Sequence, residues 1–274
     1  MKNSKQYSGK VNKLYNALKK KHPKPQKVTY EEPVDAIIYA SLSEKLTAKA
    51  TEKAIKNFAS YFIDSNELRV SRVEEITEVI GESTAAAKEV AATVTTILMA
   101  IFNRYNTLSL ESLKKIGKRP ARQMLEKLDG STSYIMDYCM LTSLKGHAIP
   151  LTDAMVDYLK EEELAYPDAD KQQIEGFLAR LISANNGYEF YALLRLEAET
   201  TKRKPKKPVK KAKKAAKKTK KAAPVKKTKK AAVEDKTAKK KTVKKATPKK
   251  KVAAKKTTKK KTTKKASKKK KAKK

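Results

Sequence analysis

The densest group of residues able to do chemistry lies in a nine-residue stretch, where Lys114, Lys115, Lys118, Arg119 and Arg122 surround Gly117. A glycine between two helical segments permits a tight connection, and the helix that follows directs unpaired backbone N–H groups outward. Cations around such a turn suit a phosphate group. The plainer alternative is an exposed basic connection with no ligand. Downstream, Thr152 and Asp153 follow Pro150. Thr152 can cap a helix with Asp153 in its first turn, where a carboxylate suits the helix dipole. His147 is one of two histidines and has no neighbouring cysteine, so it reads as a residue that supports a site from behind or packs a loop, and no metal site is expected. The single cysteine, Cys139, cannot hold an iron–sulfur cluster and reads as a small buried hydrophobe. No Gly-rich nucleotide loop, Cys–His zinc spacing or Ser–His–Asp arrangement is visible, and no cofactor is expected.

The elements that must position these groups are helical. Val34, Ile37, Ile38 and Leu42 form one apolar stripe, and Ala50, Ala54, Phe58, Ala59 and Phe62 continue the period in a second helix. Asp64-Ser65-Asn66 reads as a turn. Ser71 and Glu74 have the spacing of a capping box for a third helix ending at Gly81. Ser83 or Thr84 can cap a long helix over 85–105, apolar nearly all round in its middle and therefore expected at the centre of a core. Further helical periods cover 110–116, 119–128, 131–144, 152–165, 170–184 and 187–198. No stretch sustains strand alternation, so the fold class is all-α. The apolar run from Val90 to Phe102 contains three threonines and is short for a bilayer. MKNSKQYSGK lacks the apolar core of a signal peptide. No membrane partner is expected, and the expected location is cytoplasmic and nucleoid-associated, or nuclear in a eukaryote.

Charge divides the chain sharply. Of 67 basic residues, 39 lie in 201–274 against two acids there, Glu234 and Asp235, so this segment carries +37 of the net +38. It is built of Lys, Ala, Thr, Val and Pro, without an aromatic residue. Such a composition cannot bury enough apolar surface to offset ordering entropy, and is read as a disordered tail. Lysines that approach phosphates release condensed counterions, which favours sequence-independent binding to a polyanion, whether duplex DNA, ribosomal RNA or an anionic membrane surface; the plainer alternative is a solubilising tail without a partner. The tail resembles the lysine-rich tails of linker histones in composition. The domain reading is thus a basic N-terminal arm over 1–29 with Pro23 and Pro25, a helical domain over 30–199, and the DNA-binding tail over 200–274.

Within the helical domain, Glu32-Pro-Val-Asp-Ala-Ile-Ile-Tyr-Ala-Ser-Leu-Ser43 followed by Phe62-Ile-Asp-Ser-Asn-Glu-Leu-Arg-Val-Ser71 resembles the start of the helix-hairpin-helix glycosylase family typified by endonuclease III. Ser65 stands where the family block has Trp. Leu110–Leu125 resembles the family's hairpin, with Ile116 and Gly117 matching the end of its Leu-Pro-Gly-Val-Gly pattern and Lys114 and Lys115 replacing Pro and the first Gly. His147–Val156 resembles the motif that carries its aspartate. The resemblance implies a two-lobed helical domain flanking a cleft, with a helix-hairpin-helix near 110–128 and affinity for damaged or abasic DNA.

It also implies three departures. The amine that forms a Schiff base would fall at Arg119, which stays protonated, with Lys118 one residue away. The aspartate would fall at Thr152, with Asp153 adjacent. The glutamine that probes the vacated base position would fall at Glu44. The expected function is therefore binding of duplex or distorted DNA, with phosphate contacts at Lys114, Lys115, Gly117, Lys118, Arg119 and Arg122, with Glu44 and Thr152 as further DNA-binding positions, and with catalysis lost or altered. The alternatives are an active glycosylase and abasic-site lyase using Asp153 with Lys118, or an architectural nucleoid protein.

Overall fold

The protein is represented by a computed structural model that describes residues 4–201. Its helices are α1 (Ser4–Lys21), α2 (Pro33–Ser43), α3 (Ala48–Tyr61), α4 (Ser65–Val70), α5 (Val73–Ile80), α6 (Ala85–Tyr105), α7 (Ser112–Lys115), α8 (Lys118–Glu126), α9 (Ser133–Thr142), α10 (Asp153–Glu161), α11 (Lys171–Leu181) and α12 (Gly187–Thr200). A 3-10 turn, Ala184–Asn186, leads into α12, and no strand occurs among the described residues. The all-α fold class is as read from sequence. The lysine-rich tail lies outside the described residues from 202 onward.

Two groups of helices meet across α2 and α9, which pack on each other at the centre. On one side α4 and α5 pack on α6 and α3 packs on α5 and α2; on the other, α1 and α10 pack on α12, which also reaches α9. Local sequence sets the helix ends. Thr84 Oγ1 accepts a hydrogen bond from the Ala87 N–H (3.1 Å), and Gly81 closes α5 with φ +82°. Ala87, Val90, Ala91, Val94, Ile97, Leu98 and Ile101 of α6 are buried, placing that helix in the core as its all-round apolar middle requires.

Several local readings change. The helix holding Val90–Phe102 is 21 residues and, by length and composition alone, could cross a membrane; here its apolar faces are taken up by α2, α4 and α5. Asp64-Ser65-Asn66 is the start of α4, with Asp64 Oδ1 accepting from Asn66 N–H (2.8 Å) and Glu67 N–H (2.9 Å). Ser71 closes α4 by donating to the Glu67 carbonyl (2.9 Å), so it caps no following helix.

The basic arm read over 1–29 is corrected for its described part. Residues 4–21 form α1, which packs on α12. Val11, Tyr15 and Leu18 make an i, i+4, i+7 stripe buried in the core, and each such side chain contributes about 1.5–3 kcal/mol. The lysines on the other face masked that stripe. Lys21 and His22 at the end of α1 both reach Glu197 of α12, at 2.7 and 2.9 Å.

Candidate nucleic-acid interface

The five cations around Gly117 do not act as one group. Lys114 donates to the backbone carbonyl of Glu31. Arg122 pairs with Asp137 at 2.5 Å. Lys115, Lys118 and Arg119 are exposed and make no side-chain hydrogen bond or ion pair within the described residues. These three form the cationic surface of the α7–α8 connection. Gly117 itself sits at φ −66° with extended ψ, so the connection uses no conformation reserved for glycine, and Lys115 is an ordinary helical residue.

The glycine-dependent turn comes one helix later. Gly130, between α8 and α9, has φ +82°, and a Cβ there would lie 3.3 Å from the Thr96 side chain and 3.4 Å from the Ile97 backbone nitrogen. α8, the turn at 127–132 and α9 thus form a helix–turn–helix whose connection requires a glycine. α7 spans only Ser112–Lys115, about one turn.

The N-terminus of α9 faces a polar cluster assembled from four elements. Thr132, its cap, donates to Glu44 Oε2 (2.8 Å) and accepts from the Ile135 N–H (3.2 Å). Glu44, at the end of α2, lies 3.7 Å from Lys171 Nζ at the start of α11. The same amine lies 3.8 Å from Asp153 Oδ1 at the start of α10. Asp153 is 80% exposed, whereas the Lys171 and Glu44 side chains are largely covered. Thr152 takes the capping role: its hydroxyl accepts from the Met155 N–H at 3.3 Å and the residue is buried, so it is no surface contact. Glu44 and Asp153 are thus brought together through Lys171. No contact joins either to Lys114, Lys115, Lys118 or Arg119 within the described residues.

Behind this cluster Tyr134 is fully buried. Its hydroxyl meets Ser43 Oγ (2.9 Å), Tyr191 OH (2.8 Å) and Arg195 Nη1 (2.7 Å). Burial drives the Tyr134 phenol well above its ordinary pKa, with the guanidinium opposing it. Arg195 also donates to the Leu46 carbonyl (2.9 Å) and to Glu199 (2.8 Å).

On the other side of α9 a cavity of about 380 Å³ is bounded by α8, α9, α11 and the loop at 147–149. Asp137 and Glu175 line it, both nearly fully buried. Burial raises the Asp137 carboxyl above its usual range despite the Arg122 charge. Burial first, and then the Asp137 charge, push Glu175 from 4.5 up to about 7. His147 Nε2 lies 2.6 Å from the Ala179 carbonyl and donates to it, the loop-packing role read from sequence. Cys139 is buried, as expected of a small hydrophobe, with its thiol pushed up to about 12.

Lys171, Asp137 and Glu175 escaped the sequence reading. Asp137 had a signal, being the one acid in the otherwise apolar run Ser133–Thr142. Lys171 had none, since a lysine in Asp-Lys-Gln-Gln reads as solvated surface.

No protein-family model matches the sequence, and a search of curated proteins found no match. Solved structures do match in fold. Endonuclease III trapped as a covalent intermediate with DNA aligns with a TM-score of 0.55 at 15% identity, over 69% of this chain and 85% of that one. The Clostridium acetobutylicum 8-oxoguanine glycosylase/lyase in complex with double-stranded DNA aligns at 0.53 and 16%, over 72% and 71%. An H. pylori 3-methyladenine DNA glycosylase bound to 1,N6-ethenoadenine aligns at 0.52 and 15%, over 72% and 97%. The helical domain therefore has the endonuclease III fold.

Proposed function

We propose that this protein binds duplex or distorted DNA through phosphate contacts, on a fold shared with base-excision glycosylases, with the strand-cleaving chemistry of such enzymes lost or altered. One observation carries the chemical half of this reading. Leu128-Asp129-Gly130-Ser131-Thr132 occupies the glycine-dependent turn, so the Leu-Pro-Gly-Val-Gly pattern runs through it with Thr132 at the second glycine. Counting two residues on, the amine position falls at Tyr134, a buried phenol held by Ser43, Tyr191 and Arg195. A phenol cannot form a Schiff base, and no sugar can reach a side chain with no exposed surface. Arg119, the position that the resemblance at Leu110–Leu125 implies, cannot form one either.

The binding half rests on charge. Lys115, Lys118 and Arg119 offer a local cationic surface, and residues 201–274 supply the bulk of the charge. Because Lys acts as a mobile point charge, the tail adds affinity without sequence preference. The test is paired: titrate intact and abasic duplexes across a salt series, and treat the abasic complex with borohydride. Binding that weakens steeply with salt, without covalent trapping, is the expected result. Binding insensitive to salt would overturn the phosphate reading.

A second reading, an active lyase, is favoured by one contact. Lys171 Nζ beside Asp153 sets an amine next to a carboxylate that could take its proton as it attacks a sugar aldehyde. Covalent trapping that persists in Lys118→Ala and vanishes in Lys171→Ala would establish it.

A further inference from the structure

A groove of about 610 Å³ opens between α2, α3 and α4, with Tyr30 and Tyr39 at its inner side backed by Tyr138 of α9. Its floor is aromatic. Tyr30 and Tyr39 pack at 6.1 Å between ring centroids, and Phe58 and Phe62 meet edge to face at 5.5 Å. Its rim is acidic, with Asp35, Glu52 and Asp64 against the single cation Lys56. Ile63 stands at one end, 92% exposed. A carboxylate rim repels phosphate, so nucleic acid is the wrong occupant. An aromatic trough edged by acids suits an extended proline-containing peptide with basic flanks.

This chain contains such a peptide where it leaves the described helices. After Thr201 come Lys202-Arg203-Lys204-Pro205-Lys206-Lys207-Pro208, a Pro-x-x-Pro unit with five cations. Each proline fixes its own φ and biases the lysine before it toward extended backbone, so little entropy is lost on docking. The starting point is set by contacts: Glu199, in the last turn of α12, accepts a hydrogen bond from the Ala48 N–H (3.0 Å) at the first residue of α3. From there α3 runs about 20 Å to Tyr61 at 1.5 Å per residue. Seven residues in a polyproline conformation span about 22 Å at 3.1 Å each.

We propose that residues 202–208 dock along α3 in this groove, in the same molecule, with the prolines on the aromatic floor and the lysines at the acidic rim. The root of the lysine-rich tail is then fixed on the α3–α4 face. This does not depend on the DNA reading.

The test is a disulfide trap in the full chain. Ile63→Cys with Val209→Cys is compared with Asn185→Cys and Val209→Cys. Asn185 is exposed near the far end of α12, about 24 Å from Thr201 along the helix. Native Cys139 is buried. The expected result is at least tenfold faster intramolecular closure for the Ile63 pair. That advantage should disappear when Pro205→Gly and Pro208→Gly are added, a change outside the described residues. Ser65→Trp, which places an indole into the groove, should abolish it as well. Equal closure rates, an advantage that survives the proline changes, or disulfides formed only between two molecules would each overturn the proposal.

Discussion

Replacing Glu175 by Gln should make the protein more stable at pH 8 and leave it nearly unchanged at pH 4.5. In the folded state burial and the neighbouring Asp137 hold the Glu175 proton up to about pH 7, whereas the ordinary value is 4.5. Between those values the folded protein binds more protons than the unfolded chain, so this group makes stability fall as pH rises. The contribution is fully present below pH 4.5 and gone above pH 7. At 1.36 kcal/mol per pH unit its full size is about 3 kcal/mol. The amide of Gln mimics the protonated acid and does not titrate, so the loss is absent in the variant. The sign is opposite to that of Glu197, which Lys21 and His22 hold low although burial opposes them. A comparison of variant with wild type is therefore needed, because the pH profile of either alone mixes both effects. Urea denaturation at half-unit intervals from pH 4.5 to 8 gives the measurement. The two stability curves should diverge steadily between pH 5 and 7. Parallel curves would refute the reasoning, as they would mean that Glu175 ionises as freely in the folded protein as in the unfolded chain.

Three further outcomes are expected. Gly130→Ala should cost about 1–3 kcal/mol in thermal or denaturant unfolding, from left-handed strain and the close approach to Thr96 and Ile97; Gly117→Ala, at an ordinary φ, should be near neutral. Arg195→Ala should destabilise by about 3–5 kcal/mol, since it leaves Glu199 without its buried guanidinium and removes the donor to the Leu46 carbonyl; circular dichroism melts would show it. If the DNA proposal holds, deleting 202–274 should weaken binding and flatten its salt dependence, each lost phosphate contact removing about 0.9 from the logarithmic slope, as read by fluorescence anisotropy.

Helices with a one-sided or all-round apolar pattern were legible in the sequence. α6 was placed at both ends by Thr84 and by its composition, and α2, α3 and α9–α12 by their periods. α1 was hidden because its buried stripe is only Val11, Tyr15 and Leu18 among many lysines, and composition outweighed spacing. The glycine-dependent turn is hidden for a similar reason. Gly117 sits in a conspicuous basic cluster, while Gly130 sits in an unremarkable Leu-Asp-Gly-Ser-Thr, and only φ distinguishes a required glycine from an incidental one. Of the candidate site, Glu44 and Asp153 were named singly from the sequence, whereas Lys171 joins them from α11 through tertiary packing that no local pattern encodes.

The pairing of α1 with α12 has a kinetic consequence. Tyr15 OH donates to Glu189 at 2.8 Å and Lys21 reaches Glu197 at 2.7 Å, contacts that bridge 174 and 176 residues. Contacts so distant in sequence are closed late and slow the folding of the whole unit. During synthesis, α1 must wait with its Val11–Leu18 face uncovered until α12 is made. Lysines flanking that face keep the waiting helix soluble, so the residues that disguise α1 in the sequence protect it while the chain is incomplete.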